Sequence, residues 1–218
     1  TNEGTPKAEP PKFPPAAAPL VAEADRLWAA RDYAGAEKKY LEALQLDANS
    51  VFLLTNLAAS QIEQNRMAEA EASLKRALAQ KPDDAHALSL LGKVKFRQEK
   101  HDEALTHLTR AAELDPKDPQ TQNYLGITLS QKGQTEAALA ALRRAIELSP
   151  RYGSAQHNLA VIYAYQKPPK LSLARVHYWL ALAAGHPENP ELEKQLSSDA
   201  ADDDAIACTV YVCQVGGM

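Results

Sequence analysis

Two thiols and six imidazoles are the side chains here best suited to chemistry. The thiols, Cys208 and Cys213, lie in ACTVYVCQVGGM, residues 207–218. Thr209, Val210, Tyr211 and Val212 favour an extended strand. Residues five apart in a strand point to opposite faces, and their Cα atoms would be ~16 Å apart. A disulfide needs them within about 7 Å. In an extended tail, then, each cysteine pairs only with another chain, because residues 1–207 contain no cysteine. If the two pair with each other, the stretch is a tight loop. Thr209 and Cys213 would also permit a thioether cross-link, but no other residue supports catalysis. An even cysteine count confined to one segment favours an oxidising compartment. The expected location is extracytoplasmic, periplasmic or secreted, with the cytoplasm left open.

The histidines are His86, His101, His107, His157, His177 and His186. None belongs to an HExxH or paired-His motif, and His101 and His107 fall on different faces of a helix. No metal site and no cofactor are expected. LLGKVK, residues 90–95, lacks the upstream glycine and the Ser or Thr of a phosphate loop. Asp83 and Asp84 read as a helix start, and Asp202 to Asp204 as solvated charge. Lys93, Lys95 and Arg97 cluster, but Glu99 follows and the net charge is -4, which argues against nucleic acid. No apolar run approaches the ~18 residues of a membrane helix. An enzyme is not expected.

These residues must be positioned by helices. Residues 1–16 hold Pro6, Pro10, Pro11, Pro14 and Pro15 and read as a Pro-rich linker. The first residue, Thr1, is taken as either a processed or a trimmed terminus. From residue 17 a 34-residue period dominates. Pro82, Pro116 and Pro150 keep it, as do the small residues Ala24, Ala58, Gly92, Gly126 and Ala160. Ala36, Ala70, Ala104 and Ala138 form another column, and Ala43, Ala77, Ala111 and Ala145 a third. Tyr40, Leu74, Leu108 and Leu142 form a large column, and Leu57, Leu91, Leu125 and Leu159 a fifth. Small side chains let helix backbones approach, and large ones fill the remaining space. A helix of about 13 residues is marginal alone, so stability must accumulate by stacking.

This pattern, seen in LLGKVKFRQEKHDEALTHLTRAAELDP (90–116) and YLGITLSQKGQTEAALAALRRAIELSP (124–150), resembles the tetratricopeptide repeat family. The resemblance covers residues 17–186. It implies an all-α, right-handed superhelical solenoid of about five helix-turn-helix units at 17–50, 51–84, 85–118, 119–152 and 153–186. The fifth has a longer turn, KPPKLS, beyond which Ala174, Tyr178 and Ala181 resume the columns. Residues 187–198 should cap the array with a helix from Pro190 to Leu196. Residues 199–218 form an acidic, then β-prone tail.

In that family the first helix of each unit lines a concave groove that receives extended peptides. The resemblance places Phe52, Thr55, Asn56, Ala59 and Ile62 there, with His86, Ser89, Lys93, Phe96 and Arg97 from the third unit. The fourth supplies Gln120, Asn123, Tyr124, Ile127 and Gln131, and the fifth His157, Asn158, Val161 and Tyr165. Asn56, Asn123 and Asn158 would pair with a peptide backbone. The family's clamp for chaperone carboxylates is absent. Asn56 matches it, but Val21, Asp25, His86 and Leu90 stand at its other positions.

The expected function is a protein–protein interaction scaffold for a peptide partner. The alternative is a self-assembling filament or homo-oligomer. In it Cys208, Val210, Tyr211, Val212 and Cys213 dock on, or form a disulfide with, a neighbouring subunit.

Overall fold

The computed structural model describes residues 14–197, which form eleven α-helices and no strand. The linker before residue 14 and the tail with Cys208, Val210, Tyr211, Val212 and Cys213 lie outside the described residues. Ten helices form five consecutive pairs: α1 (Ala18–Ala29) and α2 (Tyr33–Leu44), α3 (Val51–Glu63) and α4 (Met67–Gln80), α5 (Ala85–Arg97) and α6 (His101–Leu114), α7 (Pro119–Gln131) and α8 (Thr135–Leu148), α9 (Gly153–Tyr165) and α10 (Leu171–Ala183). A short α11 (Pro190–Leu196) follows. The first helix of each pair is called A below and the second B.

Local signals set the helix ends. The A helices α3, α5 and α7 begin at Ser50, Asp84 and Asp118, 34 residues apart, and each side chain accepts an N–H of the first turn. Such caps contribute about 1 kcal/mol each. Tyr152 holds the same place before α9 and provides no side-chain cap. The A-to-B turns share a second column: Arg31, Asn65, Glu99 and Gly133 all have positive φ. The left-handed conformation turns the chain within three residues, and only at Gly133 is it free of a Cβ penalty. The fifth turn, residues 166–170, is two residues longer.

The contacts divide the chain into two compact units, residues 1–98 and 99–218, with the division in the turn between α5 and α6. In the first unit α1 packs on α2, α2 on α3, α3 on α4, and α5 on both α3 and α4. Ala24, Ala36, Ala58, Ala70 and Ala77 are fully buried in one core with Tyr40 and Leu74. In the second unit α6 packs on α7, α7 on α8, α8 on α9 and α9 on α10, while α11 covers α9 and α10. Here the small-against-large fit is tightest at Gly126. A Cβ at that position would lie 2.6 Å from Leu142 Cγ, far inside van der Waals contact.

The periodicity also carries buried polar staples that the apolar columns do not reveal. Glu37 of α2 accepts Gln61 Nε2 at 3.3 Å and Gln64 Nε2 at 2.8 Å, and pairs with Arg66. Thirty-four residues on, Glu71 of α4 accepts Lys95 Nζ at 2.9 Å and Gln98 Nε2 at 3.0 Å. Lys95 is only 4% exposed. Hydrogen bonds from Lys75 and then Lys95 hold the Glu71 carboxyl down at about 2. In the second unit the corresponding positions hold Leu105 with Leu129, and Leu139 with Tyr163, whose hydroxyl accepts from Arg143 at 2.7 Å, all packed in or against one core.

Removing one partner of such a buried pair is strongly destabilising, whereas replacing both by apolar residues is often neutral. Glu71→Gln should therefore lower the unfolding free energy by roughly 3 kcal/mol. The double change Glu71→Leu, Lys95→Leu, copying Leu105 and Leu129, should recover most of it. Urea denaturation of the three chains tests this, and a double variant as weak as the single one would contradict it.

Candidate functional site

The A-helix residues proposed to meet a ligand divide by exposure. In the first unit Phe52, Asn56, Ala59, Lys93 and Phe96 are half-buried, and His86 and Arg97 are exposed or nearly so. Thr55, Ile62 and Ser89 are buried instead, at 3%, 0% and 8% exposure. They face packed neighbours, and the Thr55 hydroxyl donates to the Val51 and Phe52 carbonyls. Asn56 Nδ2 donates to the Phe52 carbonyl at 2.9 Å, which leaves its Oδ1 as the group able to accept from a ligand. Lys93 Nζ lies 3.0 Å from Glu63 Oε1. The charge of Lys93 is thus matched within the protein, while Arg97 stays exposed, and Glu63 is a neighbour that sequence reasoning missed.

At the clamp positions, Val21 and Leu90 are buried and Asp25 accepts the Tyr40 hydroxyl at 2.8 Å. These groups serve the core rather than a carboxylate ligand.

In the second unit Tyr124, Ile127, His157, Asn158 and Val161 are half-buried, while Gln120, Gln131 and Tyr165 are exposed. Asn123 departs from expectation. It is 4% exposed, and its Oδ1 accepts Asn158 Nδ2 at 2.9 Å. The amide bridges α7 and α9, because one position along an A helix turns it from the open face to the next helix. His157 is tied to the segment before α11. Its ring stacks on His186, with centroids 4.4 Å apart, and its Nε2 lies 3.2 Å from Asn189 Nδ2. Burial first, then the neighbouring His186, push its pKa down. The backbone N–H of Asn189 also donates to the Tyr178 hydroxyl, which donates to Glu193.

His177 lies deeper, 1% exposed, with Nδ1 2.7 Å from Gln156 Oε1 and its ring stacked on Tyr163. Burial, then the charge of Arg143, push its pKa from 6.5 to about 4. The ring is a neutral core group.

Among the described residues no three His, Cys, Asp or Glu side chains gather as a metal site would require. No described helix is long and apolar enough to cross a membrane. An open depression of about 300 Å³ lies beside Tyr152, Ser154 and His186 at the start of α9.

The repeated helix pairs decide the family. Two tetratricopeptide repeat models match the chain, one over residues 27–94 and one over 83–151. The chain belongs to the tetratricopeptide repeat family. No curated protein matches it.

Solved structures of tetratricopeptide repeat fold are similar to it. The pilF protein of Pseudomonas aeruginosa is 20% identical, with 93% of each chain covered and a TM-score of 0.72. A thermophilic repeat protein of Thermus thermophilus, TTC0263, is 21% identical over 83% of this chain and 97% of its own, with a TM-score of 0.67. YrrB, described as a tetratricopeptide repeat protein with an unusual peptide-binding site, is 25% identical over 78% of this chain and 91% of its own, with a TM-score of 0.58.

The depressed pKa of His177 gives this repeat protein an acid-sensitive core. The neutral ring stabilises the fold fully above pH 6.5, and that contribution fades as pH falls towards about 4, where the folded ring also protonates. Between pH 7 and pH 4 the loss should be about 2–3 kcal/mol. Urea midpoints across this range should fall less steeply in His177→Gln. Parallel slopes in the two chains would contradict the assignment.

Proposed function

We propose that the chain is a non-catalytic scaffold that binds an extended segment of a partner protein on the A-helix faces of its repeats. One observation carries the reading. The columns that meet neighbouring helices are buried almost completely, yet Phe52, Phe96 and Tyr124 stay half-buried and Tyr165 is 52% exposed on the other side of the same helices. Apolar surface of this kind is retained where a ligand covers it. The likeness to YrrB, whose own description includes a peptide-binding site, supports the same reading.

The chemistry of the face narrows the ligand. Lys93 is matched by Glu63 and the clamp for chaperone carboxylates is missing, which leaves Arg97 as the exposed cation of the first-unit face and no clamp for a terminal carboxylate. Phe52 beside Asn56 and Tyr124 beside Gln120 suit an extended segment, with apolar side chains on the rings and backbone groups on the amides. A cofactor has no role in this reading. The extracytoplasmic location is proposed on the tail cysteines alone.

Peptides selected from a random library against the full chain provide the probe. Phe96→Ala and Tyr124→Ala should each weaken their binding about tenfold or more, as loss of an aromatic anchor does. Selected peptides that bind the Phe52→Ala, Phe96→Ala, Tyr124→Ala, Tyr165→Ala chain as tightly as the original would overturn the proposal.

A further inference from the structure

The outward face of the last B helix is more apolar than those of its counterparts, although α2 already presents Leu41, 44% exposed, at the column of Trp179. The repeat provides the comparison. Where α4 presents Lys75 and Arg76 to water, α6 Thr109 and Arg110, and α8 Arg143 and Arg144, α10 presents Trp179 and Leu180. One turn earlier Val176 stands where α4, α6 and α8 have the smaller Ala72, Thr106 and Ala140. One turn later Ala183 stands where α6 and α8 have the carboxylates Glu113 and Glu147 and α4 has Ala79. Trp179 is 71% exposed, the most of any large apolar residue described. Val176, Trp179, Leu180 and Ala183 stand at i, i+3, i+4 and i+7, which makes one continuous stripe. An apolar stripe on a face whose centre is polar or charged in α4, α6 and α8 needs a cover.

Charge, chain path and reach identify the cover. From Leu148 to Pro187 the sequence has no Asp or Glu and four exposed cations, Arg151, Lys167, Lys170 and Arg175, although the whole chain is at -4. Arg175 stands one turn before Trp179, and its Nε donates to the Leu196 carbonyl at 2.9 Å. The described chain therefore leaves at Ser197 beside the stripe. Next in sequence come Asp199, Asp202, Asp203 and Asp204, then the apolar run AIACTVYVCQV, residues 205–215. Eight residues reach about 26 Å, more than the ~20 Å length of a 13-residue helix such as α10.

We propose that residues 205–215 of this chain dock on the Val176–Trp179–Leu180–Ala183 stripe of α10, with the preceding aspartates against the cations of the last helix pair. A tether this short gives the tail an effective concentration near millimolar. A second copy has no such advantage. One Trp and three smaller residues also offer far less than the roughly 800 Å² per partner of a stable dimer. This tail site is separate from the A-helix faces of the proposed scaffold, so either reading can fail alone.

Trp179 reports on its own cover. The chain has two tryptophans, so Trp28→Phe leaves Trp179 as the only one. In the full chain, with thiols reduced, its emission should be blue-shifted and its acrylamide quenching several-fold weaker than in the same chain truncated after Ser197. Val212→Asp, which keeps the chain whole, should move both readings towards the truncated form. Identical spectra for full and truncated chains would overturn the proposal. So would a blue shift that grows with protein concentration, or that appears only on adding vesicles of anionic phospholipid. The first assigns the stripe to a second copy, and the second assigns it to a membrane.

Discussion

The close approach of paired helices, one presenting Ala or Gly and its partner Tyr or Leu, is the constraint on which the rest depends. At Gly126 the margin is smaller than a methyl group, since a Cβ would sit 2.6 Å from Leu142 Cγ. Each pair buries so small a surface that it cannot stand without the next pair. The fit therefore recurs every 34 residues. Because the fit fixes the rotation of each helix, it also decides which side chains are left looking outward. The proposed binding face is a by-product of how the core is packed.

The ends of the array show the same constraint solved differently. Tyr40 and Tyr178 occupy the large column in the first and last pairs, where Leu stands between them. Each hydroxyl finds a carboxylate, Asp25 for Tyr40 and Glu193 for Tyr178. A tyrosine ring fills the place that leucine takes in the middle pairs and adds a polar tip that can hold a neighbouring segment. At Tyr178 the tip also accepts the Asn189 N–H and so seats α11. Covering the last pair thus uses the residue that packs it.

Helix number and type were legible in the sequence because the columns repeat, and repetition averages out local ambiguity. The caps were partly legible: Asp84 read as a helix start, and it is one. The polar staples were not read, although Glu37 and Glu71, Gln61 and Lys95, and Gln64 and Gln98 keep the same 34-residue spacing. Polar residues scanned one at a time look like surface. Only their pairing across helices shows that they are inside. On the candidate face, Phe52, Phe96 and Tyr165 retain accessible surface, whereas Asn123, Thr55, Ser89 and Ile62 turn inward. One position along a helix rotates a side chain by about 100°, which is finer than a register inferred from small and large columns. Nothing in the sequence announced the Glu63–Lys93 match, because its partners sit on helices of adjacent pairs.

The staples also make the repeats unequal as building blocks. A helix pair taken from the first unit carries a carboxylate on one flank that expects an amide or ammonium next door. The second unit offers leucine or tyrosine at that place. Shuffled or duplicated modules would strand a charge against a greasy wall, so the chain can lengthen only by copying within like neighbours. The order of the pairs is written into the seams between them, as a key is cut for one lock.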